Sequence, residues 1–126
     1  MTVKYTVIAR ANPQDPSAPK KYYPVAKKTG QVSLQQLAGR AAEISTLSSV
    51  DIVAAVEAFL TIIPRELGDG NSVNLGDFGT FSLRIRGEGA DSEEAVTAHS
   101  ITKVLTSFRP GKRFKGTLSN IDFEKA

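Results

Sequence analysis

Val73-Asn74-Leu75-Gly76-Asp77-Phe78-Gly79-Thr80-Phe81-Ser82-Leu83-Arg84-Ile85-Arg86 is the stretch whose pattern decides the fold. Side chains of an extended chain alternate between two faces, so Phe81, Leu83 and Ile85 share one side and Ser82, Arg84 and Arg86 the other. One face is therefore core and the other cationic. Val73-Asn74-Leu75 predicts a short strand before this one, joined to it by the turn Gly76-Asp77-Phe78-Gly79.

Downstream, Gly87 to Ala98 contains Gly-Glu-Gly-Ala-Asp-Ser-Glu-Glu, an acidic loop, and His99 to Phe108 predicts a second β-rich strand bearing Lys103. Arg109-Pro110-Gly111-Lys112-Arg113-Phe114-Lys115 then places four basic groups in seven positions. The segment Phe114 to Phe123 reads as a short helix or turn.

Upstream the period changes to a helical one. Leu34, Leu37, Ala41 and Ile44 follow Ser33, a suitable N-cap, and predict a short amphipathic helix. Ser48, with Asp51 three residues on, resembles a capping box and opens a second helix. In it Ile52, Val53, Val56, Phe59, Leu60, Ile62, Ile63 and Leu67 cover about half the circumference, wider than one neighbour requires. Such a helix has two apolar surfaces to satisfy. Pro64 deletes a helical hydrogen bond, so a kink or early end is expected between Thr61 and Pro64.

Residues 1–32 form a separate region. Val3, Tyr5 and Val7 alternate with Lys4 and Thr6, which predicts a strand, and the three prolines between Asn12 and Pro19 demand a loop. Lys20 to Lys27 is expected to return as a second strand, with Pro24 favouring a sheet edge. The expected division is a β extension at 1–32 and a main domain at 33–126.

The 126 residues, 40% of them hydrophobic, suffice for a folded core. With no Cys and one His (His99), disulfides and the common zinc sites are excluded. Neither a secretory leader nor a membrane span is expected, which predicts a soluble cytoplasmic protein. The net charge of +3 is unevenly spread: residues 1–32 carry six Lys/Arg against one acid, residues 33–70 carry two against five, and residues 71–126 eight against seven. Basic flanks about an acidic middle suit a polyanion-binding face, or equally an ordinary solvated surface.

Helical hairpin, Val73-Asn74-Leu75-Gly76-Asp77-Phe78-Gly79-Thr80-Phe81, two-stranded arm and Phe108-Arg109-Pro110-Gly111-Lys112, in that order, resemble the HU and integration-host-factor family of bacterial histone-like proteins over about residues 33–118. The extension resembles that of a divergent HU-related branch. The resemblance implies an α+β, HU-like fold: a helical-hairpin base and a three-stranded antiparallel sheet with a β-arm, in an intertwined homodimer whose saddle and paired arms grip the minor groove of double-stranded DNA in the nucleoid. This sequence departs from the family at the arm. Family arm tips carry an Asn-Pro motif among Arg and Lys, with the proline wedged between base steps. Here Gly87 to Ser100 has no proline and four carboxylates, Glu88, Asp91, Glu93 and Glu94. Acidic groups beside phosphates oppose binding, so less bending is expected.

The candidate DNA contacts are Arg84, Arg86, Lys103, Arg109, Lys112 and Arg113, each with solvation of the outer sheet as its plainer role. Phe78, Phe81 and Phe108 match core positions, and Gly79 and Gly111 answer to turn geometry. Asp91, Glu93 and Glu94 read as a solvated loop and His99 as structural or surface. Tyr22 and Tyr23, beside Lys20 and Lys21, are read as packing residues, with stacking on bases or partners as the alternative. No nucleophile, base and orienting group occur together, so neither an enzyme, a cofactor nor a small-molecule substrate is expected. Two readings remain: an architectural protein that binds duplex DNA largely without sequence preference, and a dimeric structural or protein-interaction module that has kept the fold.

Overall fold

Hydrogen-bonded caps open both long helices. The Ser33 hydroxyl accepts from the Gln36 amide at 3.2 Å, and the Gln36 side chain accepts from the Ser33 amide at 2.9 Å, which starts α1 (Leu34–Glu43). The Ser48 hydroxyl accepts from the Asp51 amide at 3.1 Å and donates to the Asp51 carboxylate at 2.9 Å, which starts α2 (Ser49–Gly68). Both caps stand where the sequence predicts them.

Of the two outcomes expected at Pro64, the early end does not occur: α2 runs on through the proline to Gly68. A proline removes a single donor, the one that would have engaged the Leu60 carbonyl, and the bonds on either side carry the helix on. The helix closes at Gly70, whose φ of 90° suits glycine, with the Asn71 amide donating to the Glu66 carbonyl and the Gly70 amide to the Leu67 carbonyl.

The computed structural model describes residues 1–126 as two compact units, Ser33–Thr117 and Met1–Val32 together with Leu118–Ala126. In the first, the helical hairpin precedes a three-stranded antiparallel sheet of β3 (Val73–Asn74), β4 (Gly79–Gly87) and β5 (Ile101–Pro110), in that order. A 3-10 turn at Gly76–Phe78 links β3 to β4, and α3 (Lys112–Leu118) follows β5. In β4 and β5, Phe81 opposes Phe108, Leu83 opposes Thr106 and Ile85 opposes Val104. These pairs make one face, which α2 approaches through Phe59, Leu60, Ile63 and Leu67.

The second unit is also a three-stranded sheet, in the order β2 (Lys21–Ala26), β1 (Thr2–Arg10), β6 (Asp122–Lys125). β1 and β2 form the expected hairpin, and Pro24 lies on the edge strand. The main domain drawn at 33–126 is corrected at its C-terminal end. Residues 122–125 pair in parallel with Thr2–Tyr5, so 118–126 belong with the extension, because β1 offers a free edge to the alternating Asp-Phe-Glu-Lys segment. No helix is long and apolar enough to cross a membrane.

Four phenylalanines fix the base of the arm. Phe108 lies 4.8 Å from Phe81, 5.5 Å from Phe78 and 5.9 Å from Phe114 between ring centroids, and Phe78 meets Phe114 edge-on at 5.4 Å. Offset and edge-to-face pairs of this kind contribute about 0.5–1.5 kcal/mol each beyond burial. Gly111 lets the turn at Asp77 close on the start of α3: its amide donates to the Phe78 carbonyl at 2.8 Å, and a Cβ there would lie 2.5 Å from the Asp77 carbonyl carbon and 3.0 Å from the Gly79 nitrogen. Gly111→Ala should therefore cost on the order of 2–3 kcal/mol of stability in urea titration. Gly89→Ala, where an added Cβ meets nothing within 4 Å, should leave the midpoint unchanged.

Candidate nucleic-acid interface

The register of β4 and β5 decides which basic residues stand together. Thr80 opposes Arg109, Ser82 opposes Ser107, Arg84 opposes Leu105 and Arg86 opposes Lys103. Directly opposed residues share a face, so Arg84, Arg86, Lys103 and Arg109 lie on one side of the ribbon, reverse to the phenylalanine face. All four are exposed. Ser82 stands on this face as the alternation predicts, and the register adds the hydroxyl groups of Thr80 and Ser107, which sequence reading missed.

Lys112 and Arg113 stand elsewhere. Both are exposed on α3, where Phe114 turns inward to the ring cluster and Lys115 adds a further exposed cation. The six candidates thus form two groups, four on the strand face and two on the helix after it.

Above the bases of β4 and β5 the arm changes character. Pairing shifts between Arg86 and Gly87, and Gly87 already opposes Ile101, so Thr102 is the extra residue of a bulge. Its hydroxyl donates to the Arg86 carbonyl at 3.4 Å. Residues 88–100 fold back as a loop. The Glu88 amide donates to the Ser100 carbonyl at 3.0 Å, the Val96 amide to the Glu93 carbonyl at 3.2 Å, and a 3-10 turn covers Ala98–Ser100. His99 lies in that turn rather than in the strand, which begins at Ile101. The four carboxylates, all exposed, are confined to this loop.

The opposition of Arg86 and Lys103 is unfavourable by itself, since like charges directly across a sheet repel. A bound polyanion removes that cost. The face offers charge and hydroxyl donors spread along two strands, which suits a row of phosphates.

The family model described as an HU domain fused to a winged-helix, immunoglobulin-like or glycine-rich motif matches residues 1–125. The chain belongs to this family. It is 37% identical over 79 residues to the DNA-binding protein HU of Buchnera aphidicola, covering 61% of this chain and 86% of that one. It is 32% identical over 81 residues to the integration host factor subunit alpha of Vibrio cholerae, covering 63% and 83%. A crystal structure of a Bacteroides vulgatus protein superposes over 98% of this chain with a TM-score of 0.67 at 14% identity, a likeness of fold. This chain spans about half the length of that protein, 47%. The curated relatives align over less than two thirds of the chain, whereas the family model and the Bacteroides fold extend over nearly all of it.

The Arg86–Lys103 opposition yields a direct test. Lys103→Glu should raise stability by about 0.5 kcal/mol at low salt by converting a repulsive cross-strand pair into an attractive one. The measurement is the urea midpoint at low and high salt, and the gain should shrink as salt screens the pair.

Proposed function

We propose that the protein is a histone-like architectural protein, a homodimer that holds duplex DNA with little sequence preference against the cationic face of β4 and β5, in the bacterial nucleoid. The observation that carries this reading is the gathering of Arg84, Arg86, Lys103 and Arg109 on one exposed sheet face. The DNA-binding names of the HU and integration-host-factor relatives supply the choice of polyanion. Lys112 and Arg113 extend the contact along α3. Phosphates are approached by charge and hydroxyl donors, and no helix presents a row of base-reading side chains, so affinity is nearly indifferent to sequence. The acidic loop at 88–100, lacking a proline wedge, bends the duplex less than a wedge-bearing arm does.

Exposure of apolar side chains supports the dimer. Phe59 is 54% and Leu60 58% exposed, beside a cavity of about 340 Å³ that Ile63, Pro64, Phe81 and Leu83 also line. A second copy that covers this face supplies the core that the single chain lacks. Phe59→Asp would place an uncompensated charge in that interface. Sedimentation equilibrium at micromolar concentration should show a dimer for the parent and a monomer or an unfolded chain for the variant; a monomeric parent rules the dimer out.

Replacing Arg84 and Arg86 by Ala should weaken binding to all duplexes alike. It should flatten the slope of log affinity against log salt by about one unit for each phosphate that is no longer neutralised. The experiment is a gel-shift salt series on one random-sequence duplex. An unaltered slope removes these residues from the interface. It would favour the second reading, a dimeric interaction module, which the acidic loop and the ten acids against nine bases of residues 33–117 already suit.

A further inference from the structure

The cationic excess of this protein does not reside in the unit that carries β4 and β5. Residues 33–117 hold nine Lys/Arg and ten Asp/Glu, a net charge of −1, whereas residues 1–32 and 118–126 hold seven against three, a net charge of +4. The smaller unit is thus the positive one.

Its sheet has two unlike faces. In the register of β1 with β2 and β6, Tyr22 opposes Ala9, Pro24 opposes Val7, Ala26 opposes Tyr5 and Phe123 opposes Val3, so these residues share one face, together with Lys125 opposite Tyr5. Asp122 and Glu124 oppose Thr2 and Lys4 and lie on the reverse face. The first face therefore carries three aromatic rings and a lysine, and no carboxylate. Tyr22 is 73% and Phe123 67% exposed, and a cavity of about 680 Å³ opens between Tyr22, Pro24 and Phe123. Exposed lysines flank β2, with Lys20 before its start and Lys27 and Lys28 after its end, while Lys21, opposite Arg10, lies on the reverse face.

We propose that this face is a stacking platform for unpaired bases of single-stranded DNA, distinct from the cationic face of β4 and β5. Bases present flat π-surfaces whatever their identity, and exposed rings on a sheet bordered by cations hold them by stacking while the lysines meet the phosphates. A duplex offers no free base faces, so this surface discriminates in favour of unpaired strands. Tyr22 and Phe123 lie beside Ala9 and Val3, six residues apart along β1, or about 20 Å at the rise of an extended strand, with Tyr5 between them. That span accommodates a short run of nucleotides. A self-covering apolar patch would need no cationic border, and a net charge of +4 on each copy opposes pairing of two such units. The choice of DNA over RNA rests on the duplex-binding reading above; the stacking chemistry does not.

All three tyrosines, Tyr5, Tyr22 and Tyr23, lie in this unit and the protein has no tryptophan, so tyrosine emission reports from this sheet alone. Titrating the full chain with an oligo(dT) strand of about 20 nucleotides should quench that emission, and a duplex of equal length should not. Tyr22→Ala with Phe123→Ala should weaken oligo(dT) binding about 30-fold in fluorescence anisotropy and leave duplex binding unchanged, whereas Tyr22→Phe should retain it. Arg84→Ala with Arg86→Ala should do the reverse. Absence of quenching in the parent, unaltered oligo(dT) affinity in the ring variant, or tighter binding of oligo(U) than oligo(dT) overturns the proposal. So does a change of oligomeric state in the ring variant, which would assign the face to a second copy. Absence of duplex binding in the parent, with its oligo(dT) binding intact, would refute only the duplex reading.

Discussion

Apolar surface that one chain cannot cover is the constraint on which this structure depends. Ala38, 1% exposed, and Leu67, 5%, are its buried hydrophobic side chains, while Phe59, Leu60, Ile62, Leu83 and Ile85 stay substantially open to water. Burial contributes about 25 cal/mol per Å² of apolar surface, so large side chains left half-exposed forfeit much of what stabilises a fold. The helical hairpin and the phenylalanine face of the ribbon are thus two sides of an unfinished core, and the proposed homodimer completes it.

The alternation that makes one ribbon face apolar necessarily makes the other available for charge. The ring cluster about Phe108 holds β4, β5 and α3 in fixed relation, and close approach at Gly111 lets α3 start immediately after the strand. The cations at 84, 86, 103 and 109 are consequently carried on a braced base. The acids at 88, 91, 93 and 94 lie beyond a bulge, in a loop held by its own hydrogen bonds. Placement of charge along the arm follows from where regular pairing stops.

Much of this was legible in the sequence because the signals are local. Period-two alternation from Phe81 to Arg86 separates the two faces, Ser33 and Ser48 mark helix starts, and Pro24 points to a sheet edge. What was not legible depends on distant partners. Asp122 to Lys125 carries only four alternating residues, and its strand character comes from an edge offered by residues 2–5. The sharing of one face by Arg84 and Arg109 needs a register that a bulge at Gly87 could have moved. The helix passes Pro64 because the proline deletes one hydrogen bond while the bonds before and after it continue to Gly68, a balance that the local pattern does not decide. Lys112 and Arg113 look continuous with Arg109 in sequence, yet the chain changes from strand to helix between them.

The parallel pairing of β1 with β6 carries a consequence for the order of folding. Thr2 and Asp122 are 120 positions apart. Closing so long a flexible loop costs about 4 kcal/mol from the length-dependent part of the entropy alone. Four residue pairs of a short edge strand cannot offset that in an unfolded chain. The hairpin of β1 and β2 is the local part of this sheet, and the β1–β6 pairing is its long-range part, which carries the larger entropic cost of closure. Completion of the small sheet is then a late event, and contacts of this separation slow the chain far more than its helices do.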